Sequence, residues 1–189
     1  MLSIRDLPNV LTVARMLLVG PLVYLLLVER FTAALVLAVV AGLSDWLDGA
    51  LARRFSWQSH FGGLLDPLAD KLLMVATYAT LAWLDKLPMW LFILVVLRDV
   101  VIVTGGLIYH LRFEAVKAQP TRMSKANTLF QVLLMWFVLT ALAGLPVPRL
   151  LIDGMIALVA ATAVVTLFQY VFLWGARARR IAQARNSDS

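Results

Sequence analysis

The sequence predicts an all-α integral membrane protein: six transmembrane helices, both termini cytoplasmic, and a short N-terminal interfacial segment. Three observations predict it. Of 189 residues, 62% are apolar and 15% charged, whereas a soluble domain averages about 45–50% and about 25%. Mean hydropathy is +0.87, which excludes a disordered chain and an ordinary water-soluble one. Six apolar stretches follow one another, each long enough to cross ~30 Å of hydrocarbon at ~1.5 Å per residue.

Those stretches are Val10–Val28, Phe31–Ala52, Phe61–Leu84, Leu87–Leu111, Met123–Ala143 and Leu150–Trp174. The first follows Arg5 and Asp6 and lacks a small-residue cleavage site after it, so it reads as a retained helix and not a signal peptide. Gly20-Pro21 is expected to bend it. Turn residues separate spans at Glu29-Arg30, at Asp85-Lys86-Leu87-Pro88 and at Gly144-Leu145-Pro146-Val147-Pro148. Residues 1–175 read as a single membrane domain and 176–189 as a basic cytoplasmic tail whose Gly175–Arg185 run lies on the headgroups. With no cysteine there is no disulfide, thiolate metal site or cysteine nucleophile.

Basic residues orient the chain. Arg5, Arg15, Arg53, Arg54, Arg112, Lys117, Arg122, Lys125, Arg177, Arg179, Arg180 and Arg185 fall on one side, and only Arg30, Lys86 and Arg149 on the other. Lys71 and Arg98 stand within helices. The positive-inside rule places the richer side, with both termini, in the cytoplasm. The net charge of +6 is thus an orientation signal and not a mark of nucleic-acid binding.

Four of the 11 acidic residues sit in or beside the second and third spans: Asp45, Asp48, Asp66 and Asp70. Ionisable groups in such segments are costly and by default functional. The second span ends, and the third begins, on the cytoplasmic side, so all four carboxylates reach one membrane depth. Spacings of i,i+3 and i,i+4 put each pair on one helix face. Two facing pairs repel unless a cation neutralises them or some are protonated. An all-oxygen set suits Mg²⁺ or Mn²⁺, and four carboxylates can hold two ions. Gly49 and Ala52 leave room beside α-helical backbone for a substrate, and Arg53, with Arg54 or Lys71, is placed to clamp phosphate. Carboxylates, divalent metal and basic groups are the parts of phosphoryl transfer. A single acid at a span end is ordinarily just interfacial, as His60 and His110 are read here; four paired at one depth are not.

Asp45-Trp-Leu-Asp48-Gly49-Ala-Leu-Ala52-Arg53, eight residues, Gly62, three residues, Asp66, three residues and Asp70 resembles the signature of the CDP-alcohol phosphatidyltransferases. All eight fixed positions agree, a match whose chance at a given start is on the order of 10⁻¹⁰. The resemblance implies transfer of the phosphatidyl group from CDP-diacylglycerol to an alcohol, with release of CMP and no covalent intermediate. It implies Asp45, Asp48, Asp66 and Asp70 as ligands of two Mg²⁺ or Mn²⁺ ions. Asp70 would also be the general base for the acceptor hydroxyl, with Asn9, Gly49, Ala52 and Arg53 against the CDP moiety. It further implies a homodimer in a bilayer, with the active site on the cytoplasmic side of a bacterial inner membrane or its equivalent.

Shorter segments narrow the branch. Leu7-Pro8-Asn9-Val10-Leu11-Thr12-Val13-Ala14-Arg15 resembles the first-span entry of the glycerol-type members. Arg98-Asp99, and Pro120-Thr121-Arg122-Met123-Ser124-Lys125-Ala126-Asn127-Thr128 with Gln131, are similar to the cardiolipin synthases of this fold, which use phosphatidylglycerol. The alternative is a phosphatidylglycerophosphate synthase using glycerol 3-phosphate, though those more often show Gly-Arg-Glu where this chain has Leu97-Arg98-Asp99. Arg98, Arg122 and Lys125 are candidates for the acceptor's phosphate. Arg98 also has a structural reading, an ion pair with Asp99 or another buried acid. Two remoter classes compete. Membrane prenyltransferases also use aspartate-bound Mg²⁺ but resemble longer, roughly nine-span chains with a different Asp spacing. A cation transporter would need a polar path through the outer half of the spans, which the sequence lacks.

Overall fold

The computed structural model describes the backbone of residues 7–55, 62–113 and 122–187, and the side chains of residues 13–44, 69–105 and 123–172. Six helices account for nearly all of it, and no strand occurs among the described residues. They are α1 (Leu7–Leu27), α2 (Phe31–Phe55), α3 (Gly62–Trp83), α4 (Met89–Phe113), α5 (Arg122–Leu142) and α6 (Arg149–Ser187). The six helices begin and end close to the six apolar stretches, with one exception. Helix α6 has 39 residues and runs well past Trp174 through the basic segment. That segment is rich in Ala and Arg, which are strong helix formers, so loss of apolar character does not end the helix. Helix α1 continues through Pro21 without a break.

Three helices end in the same way. At the close of α1, the Glu29 amide donates to the Leu26 carbonyl and the Arg30 amide to the Leu25 carbonyl. Asp85 and Lys86 repeat the pattern after α3, donating to Ala82 and Leu81. Gly144 and Leu145 repeat it after α5, donating to Ala141 and Thr140. Such caps need one residue in the left-handed region; Glu29, Asp85 and Gly144 supply it, with φ of 55°, 56° and 87°. Only Gly144 adopts that backbone without a Cβ penalty. The turn residues that separate the spans in sequence are therefore the caps themselves.

The chain forms two compact units, Met1–Met89 with Met135–Pro148, and Trp90–Leu134 with Arg149–Ser189. In the first, α1 packs on both α2 and α3. The buried stripe of α1 is Arg15, Leu22 and Leu26, a seven-and-four spacing that keeps one face inward. Helix α2 contributes Ala34, Ala38 and Ala41, and such small residues let helix backbones approach closely. Helix α3 adds Ala69, Thr77, Tyr78 and Leu81. In the second unit the inward residues are Leu91, Val95 and Arg98 on α4, with Met155, Val159, Ala163 and Thr166 on α6. Ser124, Asn127, Gln131 and Leu134 of α5 complete it.

Large apolar side chains also point outward, among them Leu17, Trp83, Leu150 and Phe172. Among the described residues, Met123–Leu142 and Arg149–Phe172 are long and apolar enough to cross a membrane, and Val13–Leu27 and Phe31–Ser44 are shorter apolar segments.

Candidate active site

Helix α2 carries Asp45 and Asp48 near its C-terminal end, and α3 carries Asp66 and Asp70 in its first turns. The helical backbone brings each pair within one turn on one face, as their spacing requires. Of the four, Asp70 has a described side chain; those of Asp45, Asp48 and Asp66 lie outside the described residues, as do those of Asn9, Gly49, Ala52, Arg53 and Arg122. No group of three or more potential metal-ligating side chains occurs among the described residues.

Asp70 follows the fully buried Ala69 and stands at the edge of the first unit, its side chain 50% exposed. Its Oδ1 accepts a hydrogen bond from Nη1 of Arg15 at 2.8 Å. Arg15 is almost wholly enclosed, with 5% of its side chain exposed. A guanidinium carries its charge across the working pH range, so this carboxylate has a fixed cation against one oxygen.

The second unit holds the other described candidates. Arg98 has only 2% of its side chain exposed; its Nη1 donates to Oδ1 of Asp99 at 2.6 Å. Its Nη2 donates to the hydroxyl of Ser124, joining α4 to α5. Both terminal nitrogens are thus engaged within the protein, the arrangement of a structural bracket. Lys125, one residue beyond, is exposed. Further along α5, the buried Asn127 accepts at Oδ1 from the Thr162 hydroxyl of α6 at 2.8 Å, while its Nδ2 has no hydrogen-bond partner.

Sequence reasoning counted Arg15 only among the orienting charges and in the first-span motif. The signal that marks it is positional. It falls seven residues before Leu22 and eleven before Leu26, so the face of α1 that packs against its neighbours includes a charge.

The chain matches the CDP-alcohol phosphatidyltransferase family over residues 5–176. It is 38% identical over 142 residues, 67% of this chain and 44% of the relative, to the "Probable cardiolipin synthase (CMP-forming)" of Drosophila melanogaster. It is 34% identical over 145 residues to the cardiolipin synthase (CMP-forming) of Homo sapiens, covering 67% of this chain and 48% of that one. To the CDP-diacylglycerol–glycerol-3-phosphate 3-phosphatidyltransferase of Aquifex aeolicus it is 32% identical over 127 residues, 66% of this chain and 70% of the relative. The chain spans less than half the length of the first two. The match covers all six helices as far as the start of the basic segment, and with it the chain belongs to the CDP-alcohol phosphatidyltransferase family.

Proposed function

We propose that this protein transfers the phosphatidyl group of CDP-diacylglycerol to the hydroxyl of a glycerol-type acceptor and releases CMP. Phosphatidylglycerol is the acceptor, and cardiolipin the product. The observation that carries the reading is the set of eight matching positions from Asp45 to Asp70, on the C-terminal part of α2 and the N-terminal part of α3. The alternative acceptor, glycerol 3-phosphate, is favoured by the likeness to the Aquifex aeolicus enzyme.

The donor set fits a pair of hard divalent ions. All four groups are carboxylates, each pair shares a helix face, and half of the Asp70 side chain is exposed. When bound, Mg²⁺ or Mn²⁺ neutralises the pyrophosphate and stabilises departing CMP. Asp45, Asp48, Asp66 and Asp70 hold the ions in this reading. Gly49 and Ala52 leave space for the CDP moiety along α2, Asn9 contacts it from α1, and Arg53 clamps phosphate oxygens. Asp70, exposed at the surface of α3, takes the proton of the acceptor hydroxyl as its oxygen attacks phosphorus. Arg122 and Lys125 serve the acceptor's phosphate; Arg98, enclosed against Asp99 and Ser124, supports that region of α5 from behind.

All six helices cross the membrane in this reading, with the termini and active site on the cytoplasmic side. Helix lengths of 21 to 39 residues support it, since ~20 residues suffice. So do the outward-facing Leu17, Leu150 and Phe172. The homodimer belongs to the same reading and rests on the family resemblance. The test offers phosphatidylglycerol, glycerol 3-phosphate, serine and inositol phosphate separately to the purified protein with CDP-diacylglycerol and Mg²⁺. CMP release with phosphatidylglycerol, and cardiolipin as product, is the expected result. Release with glycerol 3-phosphate alone would move the protein to the alternative acceptor, and release with serine or inositol phosphate alone would refute the glycerol-type reading.

A further inference from the structure

Arg15 is placed where a membrane helix gains least from a charge. Its neighbours along the buried stripe of α1 are Leu22 and Leu26, which already provide the apolar contact that packing requires. Enclosing a guanidinium carries a desolvation penalty that an ion pair offsets only with good geometry on both partners. Here one partner is 5% exposed and the other 50%, and a pair open to solvent on one side contributes little to stability. What the arginine changes is Asp70, whose Oδ1 it holds at 2.8 Å from a helix 55 residues earlier in the chain.

We propose that Arg15 is a positioning residue for Asp70 and the built-in counter-charge of that carboxylate. The hydrogen bond fixes the carboxylate in one orientation on α3. The positive charge stands against the Asp70 carboxylate before any metal arrives, and opposes an incoming cation at that carboxylate afterwards. Arg15 thereby lowers the affinity of the site for divalent ions while keeping Asp70 aligned. The inference rests on the reading of Asp70 as a metal ligand and base.

The test measures Mn²⁺ binding directly, by electron paramagnetic resonance of free Mn²⁺ during titration of the full chain in lipid nanodiscs without substrate. Turnover is measured in parallel. Arg15→Met keeps the volume and apolar character of α1, so the variant retains the packed face. It is expected to bind Mn²⁺ about tenfold more tightly, through removal of a nearby like charge. Its kcat should fall roughly 100-fold through misplacement of Asp70, with KM for CDP-diacylglycerol changed less than about threefold. Arg15→Lys keeps the charge and loses the guanidinium geometry; its Mn²⁺ affinity should stay within about twofold of wild type while kcat falls.

A merely structural arginine predicts the opposite sign, with Mn²⁺ binding weakened together with kcat in both variants. Unchanged or weaker Mn²⁺ binding by Arg15→Met overturns the inference. If that variant does not fold, weakened Mn²⁺ binding by folded Arg15→Lys overturns it instead. Asp70→Asn separates this failure from failure of the underlying reading. If wild type and Asp70→Asn bind Mn²⁺ equally, or neither binds it, Asp70 is not a ligand and both fall.

Discussion

Two buried arginines divide the molecule between them. Arg15, in the first unit, and Arg98, in the second, each donate from Nη1 to an aspartate Oδ1, at 2.8 and 2.6 Å. Their partners differ. Asp70 lies on another helix with half its side chain in the open, whereas Asp99 is the residue next to Arg98 and is 15% exposed. Arg98 also reaches Ser124 on α5, so both of its terminal nitrogens end on groups within the fold. The same ion pair thus does two jobs. Where the carboxylate is enclosed, the pair stays within α4 and the arginine ties that helix to α5 through Ser124; where it is exposed, the pair joins α1 to α3 and the arginine presents an acid at the surface. Burial of the cation alone does not tell these apart, and exposure of the anion does.

The comparison is broken most easily at the open end. Asp70→Asn should lower CMP release at least about 100-fold, because loss of a positioned base costs about 10²–10⁴-fold. Its helical circular dichroism should remain that of wild type, with a lowered thermal midpoint because the enclosed Arg15 loses a counter-charge and keeps an amide oxygen as acceptor. Activity within tenfold of wild type would remove Asp70 as the base.

At the enclosed end the sign reverses, from chemistry to stability. Arg98→Met removes the Nη1 donor from the mostly enclosed Asp99 and should cost roughly 3 kcal/mol, measured by denaturation in detergent micelles. Arg15→Met leaves only a half-exposed carboxylate and should cost less than about 1 kcal/mol. Equal losses in the two variants would erase the distinction.

The hydrogen bond between α5 and α6 ranks lower. Thr162→Val should cost about 0.6 kcal/mol, the usual worth of a polar pair between membrane helices. Asn127→Leu should cost no more, because it also removes a buried N–H that lacks a partner. The smallest effect belongs to a cap. Asp85 holds φ at 56° after α3, so Asp85→Gly should stabilise by roughly 0.5–1 kcal/mol, read as a raised thermal midpoint. An unchanged or lowered midpoint would show that Asp85 has a contact worth more than its strain.

Helix number and boundaries were legible because apolar length and turn residues are local properties. Glu29, Asp85 and Gly144 mark chain turns in sequence and caps in the structure for the same reason. The end of α6 was not legible by that rule, since hydropathy stops at Trp174 while helix propensity continues through Arg177, Arg179 and Arg180. The carboxylate pairs were visible as spacing. Arg15 was hidden because a charge near a span end also reads as an orientation signal, and only the packing of α1 on α3 reveals which face it occupies. Arg98 left two readings open in sequence for a similar reason. An arginine beside an aspartate looks the same whether its remaining donors meet a ligand or, as here, a serine one helix away.

The most direct measurement is CMP release from CDP-diacylglycerol and phosphatidylglycerol by the purified protein, before and after removal of divalent ions. Chelation is expected to stop the reaction and added Mg²⁺ or Mn²⁺ to restore it, with CMP and cardiolipin formed in equal amounts. Undiminished CMP release after chelation, or release without phosphatidyl transfer to a glycerol-type acceptor, would contradict the proposed function.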